Sequence, residues 1–324
     1  MKGMIIKMHF DNSEMFLREA NCQVLNNLAC KYPQIVVLDA DLMNASGFSE
    51  FKKEHPNRFF NCGIQEANMI GVAGGLSYMG FIPVVHTFAA FASRRAADQV
   101  FVSGVYSKQN IKILGTDPGV CNSPNGGTHM ALEDIGIMRT MPGMYIVDPT
   151  DEVMLRNLIP AIIGTSGMFY VRLFRKTNIK VYDNKTTFEL GKAHTAHEGK
   201  DITIIAEGAV MVPEALKACE ELENQGYSVR VIDMFTIKPL DKEAVLSAAR
   251  ETGAILTAEN HNIMGGLGSA VAEVLSENRI SVPFFRIGVR DSVGETGSLE
   301  FILKKYHMDY KAISEEAKKL IESK

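Results

Sequence analysis

The sequence predicts an α/β protein of two domains, each a mostly parallel sheet flanked by helices. Three observations carry this. The chain has 324 residues, more than a single hydrophobic core usually serves. Short apolar, β-branched runs alternate with segments whose apolar residues recur at helical spacing. A polar stretch without such a stripe, 176–200, divides two series of this kind, so the expected domains are 1–187 and 188–324.

Residues 13–31 read as a helix with Ser13 as its cap; Phe16, Leu17, Ala20, Val24 and Leu28 form the stripe, and Arg18 lies on it. The run 35–38 suits a strand buried on both faces. It ends in Asp39 and Asp41, either where ligands gather in open α/β sheets or as caps of the next turn. Glu66 then opens an apolar, glycine-rich helix, and nothing from Ala67 to Phe81 is charged. Its carboxylate either complements the helix dipole and faces water or is kept for proton chemistry.

The run 81–86 is a second buried strand. Phe88 and Phe91 follow, as core or as an apolar floor for a flat ligand, and then a helix with Arg94, Arg95, Asp98 and Val100. The strand 111–115 opens into a long loop, 117–129, rich in Gly, Pro and Asn, a kind often functional in compact domains. His129 closes that loop just before a helix over 130–139. Strands 145–148 and 168–172 complete the first sheet, with Arg172 and Arg175 beyond it to meet an anion or pair with surface acids. The second half alternates strands 202–206, 229–232, 254–257 and 283–287 with helices 212–225, 241–251 and 268–276.

Composition narrows the function. The net charge is -4 with no basic run, which argues against nucleic acid as a partner. No apolar run reaches the ~20 residues of a membrane span, and 1–7 is too short and interrupted for a signal peptide. The five Cys form no Cys-x-x-Cys pair and no zinc-ligand spacing, so they read as free thiols of a reducing cytoplasm, and no metal site built by this chain alone is expected. Gly265-Gly266-Leu267-Gly268-Ser269-Ala270 lacks the last Gly of a dinucleotide fingerprint, because Val271 stands there. It reads as a closely packed helix start, with an anion on its N–H groups as the lesser alternative.

Five segments in order resemble transketolase-type thiamine diphosphate enzymes: 61–69 around Glu66, 83–91 with Phe88 and Phe91, Gly126-Gly127-Thr128-His129, 265–273, and 291–297. The resemblance spans nearly the whole chain and implies a pyrimidine-binding domain followed by a transketolase C-terminal domain. It implies that Glu66 hydrogen-bonds the aminopyrimidine of thiamine diphosphate and activates it, with Phe88 and Phe91 lining that ring. It implies His129 as a catalytic contact to a substrate hydroxyl, and Arg18, Asp41, Ser46, Asn125 and Arg175 as further substrate contacts. The family's Gly-Asp-Gly, which holds diphosphate and metal, is missing. The resemblance therefore implies a partner chain, an N-terminal transketolase subunit carrying Mg²⁺ or Ca²⁺, in an α2β2 assembly acting on sugar phosphates. Two departures bear on the donor sugar: Asn125 stands for a family Asp, and Thr116 for a family His. The alternatives are a subunit specialised for an unusual ketose, a deoxyxylulose-phosphate-synthase-like or 2-oxoacid dehydrogenase β-type subunit, or a non-catalytic partner.

Overall fold

The computed structural model describes residues 10–324, so the N-terminal run 1–7 lies outside the described residues. Two sheets organise the chain. The first has seven strands in the order Thr236–Lys238, Tyr145–Val147, Phe169–Leu173, Lys112–Thr116, Ile82–Phe88, Ile35–Asp39 and Phe59–Asn61. Six of them run parallel, and Thr236–Lys238 closes one edge antiparallel to Tyr145–Val147. That closing strand lies past residue 188, so the second half of the chain contributes to the first sheet. The second sheet has five strands, ordered Phe284–Val289, Ile255–Asn262, Ile202–Ala206, Val229–Asp233 and His194–His197, the last antiparallel.

The central strands Ile35–Asp39, Lys112–Thr116, Phe169–Leu173 and Ile202–Ala206 are buried along their whole length. Their β-branched runs sit between helices on both faces, which is why they lack polar alternation. Helix Leu17–Lys31 packs on helix Glu152–Gly164 over one face of the first sheet. Helix Glu66–Tyr78 covers the other face through Met69, Ile70 and Ala73.

Three elements differ from expectation. The first helix begins at Leu17, because Ser13 is held elsewhere: its N–H donates to Asn178 O at 2.7 Å. Glu19 takes over the helix entrance by accepting from Phe16 N at 3.0 Å. The stretch 130–139 is helical only over Asp134–Arg139, since Ala131 bridges to Gly119. The segment after Phe88 is no simple helix: π-helical turns Phe91–Arg95 and Val100–Tyr106 flank the short helix Ala97–Gln99. Such widened turns re-aim side chains and frequently occur at functional sites. The polar stretch 176–200 itself carries two short strands, Ile179–Lys180 and His194–His197.

Candidate active site

The carboxyl ends of the parallel strands of the first sheet are the cleft position that ligands take in open α/β sheets. Glu66 lies at this end with 1% of its surface exposed. Its own helix offers it no polar company, but later segments do. Thr87 Oγ1 donates to Oε1 at 3.2 Å, and Arg95 Nη1 donates to Oε1 and Oε2 at 2.9 and 2.8 Å. The Arg95 guanidinium carbon lies 4.2 Å from the centroid of the Phe91 ring. A planar, hydrogen-bonding group is thus stacked on Phe91 and joined to the Glu66 carboxylate. Sequence reading did not single out Arg95 because the π-helical turn that directs it is invisible to a 3.6-residue periodicity.

Phe88, Phe91 and His129 come together as expected of neighbours in a cleft. His129 lies 5.2 Å from Phe91 and 6.1 Å from Phe88, both edge-on, and the two Phe rings are 6.0 Å apart. Arg94 ties the loop down, donating to Thr128 O and Glu133 Oε1, each at 2.7 Å.

The remaining predicted residues distribute unevenly. Arg175 reaches the cleft, with its guanidinium carbon 5.2 Å from the Phe88 centroid. It is not free of acids: Nε donates to Asp117 Oδ2 at 2.6 Å. Arg18 adjoins it through Arg18 N to Arg175 O at 3.3 Å. Asp41 has φ 64°, an uncommon left-handed conformation, and exchanges two hydrogen bonds with the Asn61 amide. Asn125 is exposed and donates to Asn122 Oδ1 at 3.1 Å. Ser46 is buried, and its hydroxyl donates to Met43 O at 2.8 Å, so local structure uses it.

Thr116 is also fully buried. Its Oγ1 lies 3.1 Å from His86 Nε2, while His86 Nδ1 is 2.8 Å from Asp39 Oδ2. This interior chain of Asp39, His86 and Thr116 explains why Asp39 ends its strand and keeps Thr116 from the cleft surface. The residue that meets Arg175 is the next one, Asp117, in a left-handed conformation with φ 51°. Burial pushes the Asp117 carboxyl up, and Arg175 and Lys176 pull it back.

The second half of the chain grips the loop 117–129. Asn260 Oδ1 accepts from Val120 N at 2.8 Å, and its Nδ2 donates to Pro118 O at 3.1 Å. Gly119, at φ 55°, has no room for a side chain because a Cβ would collide with Asn260. Gly297 N donates to Ser123 O at 3.2 Å on the other flank, so the segment 291–297 closes over the loop. Beneath it lies Arg172, fully buried and not at the surface. Arg172 donates to Asp134 at 2.9 and 3.3 Å, Asp148 at 2.6 Å, Glu207 at 2.9 Å and Asn260 O at 2.8 Å. The glycine-rich helix start at 265–268 receives one of the chain's own acid side chains: Gly268 N donates to Glu259 Oε1 at 3.1 Å. Burial pushes the Glu259 carboxyl up to about 8, against that hydrogen bond and the Arg286 charge.

With this geometry in view, similarity to known proteins is decisive. Residues 13–179 match the transketolase pyrimidine-binding domain, and residues 191–313 match the transketolase C-terminal domain. The chain belongs to the transketolase family. It corresponds to the split form of that family, in which these two domains form a separate subunit. A 6-deoxy-6-sulfo-D-fructose transketolase subunit of Clostridium sp. strain MSTE9 is 47% identical over 96% of both chains. One of the apulose-4-phosphate transketolase subunits of Phocaeicola vulgatus is 39% identical over 94% of this chain and 97% of that one. Human transketolase is 36% identical, and this chain spans 49% of its length. A solved split-gene transketolase, described as an inactive beta4 tetramer, superposes with a TM-score of 0.86 at 40% identity, over 96% of this chain and 99% of that one.

The family implies thiamine diphosphate, and the residues present fit its aminopyrimidine half: a buried carboxylate faces an aromatic ring with a planar cation already between them. The sequence has no Gly-Asp-Gly, the motif expected to hold the diphosphate half. Among the described residues one trio of metal-ligating types approaches, His197, Cys219 and Glu223. Both His197 Nδ1 and the Cys219 thiol are spent on Val229 O, at 2.9 and 3.6 Å, and burial pushes the thiol up, away from the thiolate a metal needs. No helix among the described residues is long and apolar enough to cross a membrane.

Proposed function

We propose that this chain is the C-terminal subunit of a heteromeric thiamine-diphosphate-dependent transketolase, moving a two-carbon ketol unit from a ketose to an aldose. One observation carries the reading: the Glu66 carboxylate, 1% exposed, and the Phe91 ring hold the planar Arg95 guanidinium between them, the slot a flat ring would take. A ring entering that slot takes over the carboxylate that Arg95 now holds, and Phe91 and Phe88 exclude water from its face. When bound, thiamine diphosphate supplies the nucleophilic carbon that cleaves the ketose. Glu66 holds a proton at a ring nitrogen, and Thr87 fixes its Oε1. His129, beside Phe91, orients a donor hydroxyl.

A partner chain bringing the diphosphate and metal site, in an α2β2 assembly, completes the proposal. It is supported by an exposed apolar face on helix Glu66–Tyr78 and the turn Val100–Tyr106, where Val72, Tyr78, Met79, Val102 and Tyr106 are all exposed. The face continues from the same helix that presents Glu66. The Clostridium relative's named sugar favours a second reading within this one, a donor other than the common sugar phosphates.

The test mixes this chain with a Gly-Asp-Gly-bearing partner, thiamine diphosphate and Mg²⁺, and follows ketol transfer from xylulose 5-phosphate or a ketose panel. Activity is expected only with both chains. Glu66→Gln should lower kcat by about 10²–10⁴, the usual worth of a positioned proton-transfer group. Wild-type turnover in Glu66→Gln would remove Glu66 from the reaction.

A further inference from the structure

Two neighbouring arginines on one widened turn are held in different ways. Arg94 is tied to the loop through Thr128 O and Glu133 Oε1, each at 2.7 Å. Arg95 is held by the slot alone. Its Nη1 donates to both Glu66 oxygens, at 2.9 and 2.8 Å, its guanidinium carbon lies 4.2 Å from the Phe91 centroid, and no other hydrogen-bond acceptor engages it among the described residues. The two partners differ in exposure: the Arg95 side chain is 45% exposed, that of Glu66 1%. The cation thus reaches in from solvent and caps a carboxylate that is otherwise shut away from water. A buried carboxylate without a partner is costly, so an empty slot draws in the nearest planar donor. Arg95 presents what a flat nitrogen-bearing ring presents, a face for Phe91 and a nitrogen for Glu66.

We infer that Arg95 is the resident occupant of this slot, and that the free subunit is closed to an aminopyrimidine until that side chain leaves. This rests on the thiamine diphosphate reading above and adds a competition to it. The guanidinium and the ring need the same Phe91 face and the same Glu66 oxygens, so they exclude each other. The exposed half of the Arg95 side chain gives it a way out, and Thr87 Oγ1 keeps its 3.2 Å hydrogen bond to Glu66 Oε1 when the guanidinium goes. The affinity of a ligand falls by the fraction of molecules whose site is open. Hydrogen bonds to a charged group favour the closed state by ~10–100-fold, and solvent screening of a half-exposed arginine places the expectation at the lower end. The same argument gives the slot a second class of ligand. With the side chain removed, it takes a free planar cation, the guanidinium ion.

The experiment titrates hydroxymethyl aminopyrimidine, the free pyrimidine half of thiamine, into the full chain without its partner, and reads binding by ligand NMR. Arg95→Ala is expected to bind it about tenfold more tightly than wild type. Millimolar guanidinium chloride should displace it from Arg95→Ala at concentrations that leave wild-type binding unchanged. Arg95→Lys keeps the charge and gives up the planar stack, so its affinity should fall between the two; it carries the test if Arg95→Ala fails to fold. Equal affinity in wild type and variants, equal competition by guanidinium, or no binding to either variant overturns the inference. So does a crystal structure of the assembled enzyme with thiamine diphosphate bound and Arg95 still on both Glu66 oxygens. If the pyrimidine behaves as expected and the assembled enzyme moves no ketol unit, the transfer reading falls and the exclusion by Arg95 stands.

Discussion

Replacing Arg172 by Met should destabilise the whole molecule, and increasingly so as pH rises. The guanidinium makes four hydrogen bonds to three carboxylates, Asp134, Asp148 and Glu207, and a fifth to Asn260 O, with no solvent contact. Removing one partner of a buried ion pair costs about 3–5 kcal/mol, since the remaining charge is stranded. Against a total stability of ~5–15 kcal/mol, that is a large share, and it corresponds to a fall in Tm of about 5–10 °C. The pH dependence follows from the carboxyls. Burial already pushes Asp148 up to about 6 and Glu207 well above its ordinary range, in spite of Arg172. Without the cation both rise further. A carboxyl raised in the folded state binds more protons there than in the unfolded chain, so stability falls as pH climbs from its unfolded toward its folded value. The slope is about 1.4 kcal/mol per pH unit for each such group. Calorimetric melts at pH 5, 6.5 and 8 should therefore show the deficit of Arg172→Met growing with pH. A variant melting within about 2 °C of wild type at pH 8, or a deficit that shrinks with pH, would refute the account of the cluster.

Two further outcomes are expected beside that for Glu66. Glu259, raised to about 8 from an ordinary 4.5, keeps its proton in the folded state at neutral pH. Glu259→Gln should match wild type in urea unfolding near pH 4.5 and gain on it by up to ~1.4 kcal/mol per pH unit toward pH 8; equal stabilities at pH 8 would contradict this. Asn260→Ala leaves the buried Val120 N–H without its acceptor, at a cost of about 1–3 kcal/mol. Hydrogen exchange of the loop 117–131 should quicken by about tenfold or more, and donor KM should rise more than kcat falls; unchanged exchange would mean that Asn260 does not hold the loop.

Most of the fold was legible because its strands are buried on both faces and therefore read as unbroken apolar runs, as at 35–38 and 202–206. What escaped were features set by distant partners. Ser13 looks like a helix cap, but Asn178 claims its backbone. The strand Thr236–Lys238 is too short to announce itself, and only Tyr145–Val147 gives it a ladder. Phe88, Phe91 and His129 were legible as neighbours because strand ends and long loops mark one end of such a sheet, and the structure brings them together, with Arg175 over Phe88 and Arg95 joining Phe91 to Glu66. Arg95 and Asp117 were missed, since a π-helical turn and a single left-handed residue leave no periodic trace. Arg172 reads as meeting an anion or pairing with surface acids, because sequence shows a charge but not the three acids folded around it.

The antiparallel strand Thr236–Lys238 constrains how such a protein can be taken apart. A cut near residue 188 looks natural from the polar stretch there, but it would strip Tyr145–Val147 of its neighbour. That would leave an unpaired edge inviting the same strand from another molecule. The halves of this chain are thus not interchangeable modules. A chimera joining one first half to a foreign second half must import a fitting edge strand, and gene fission in this lineage would be tolerated ahead of the pyrimidine-binding half far more readily than behind it.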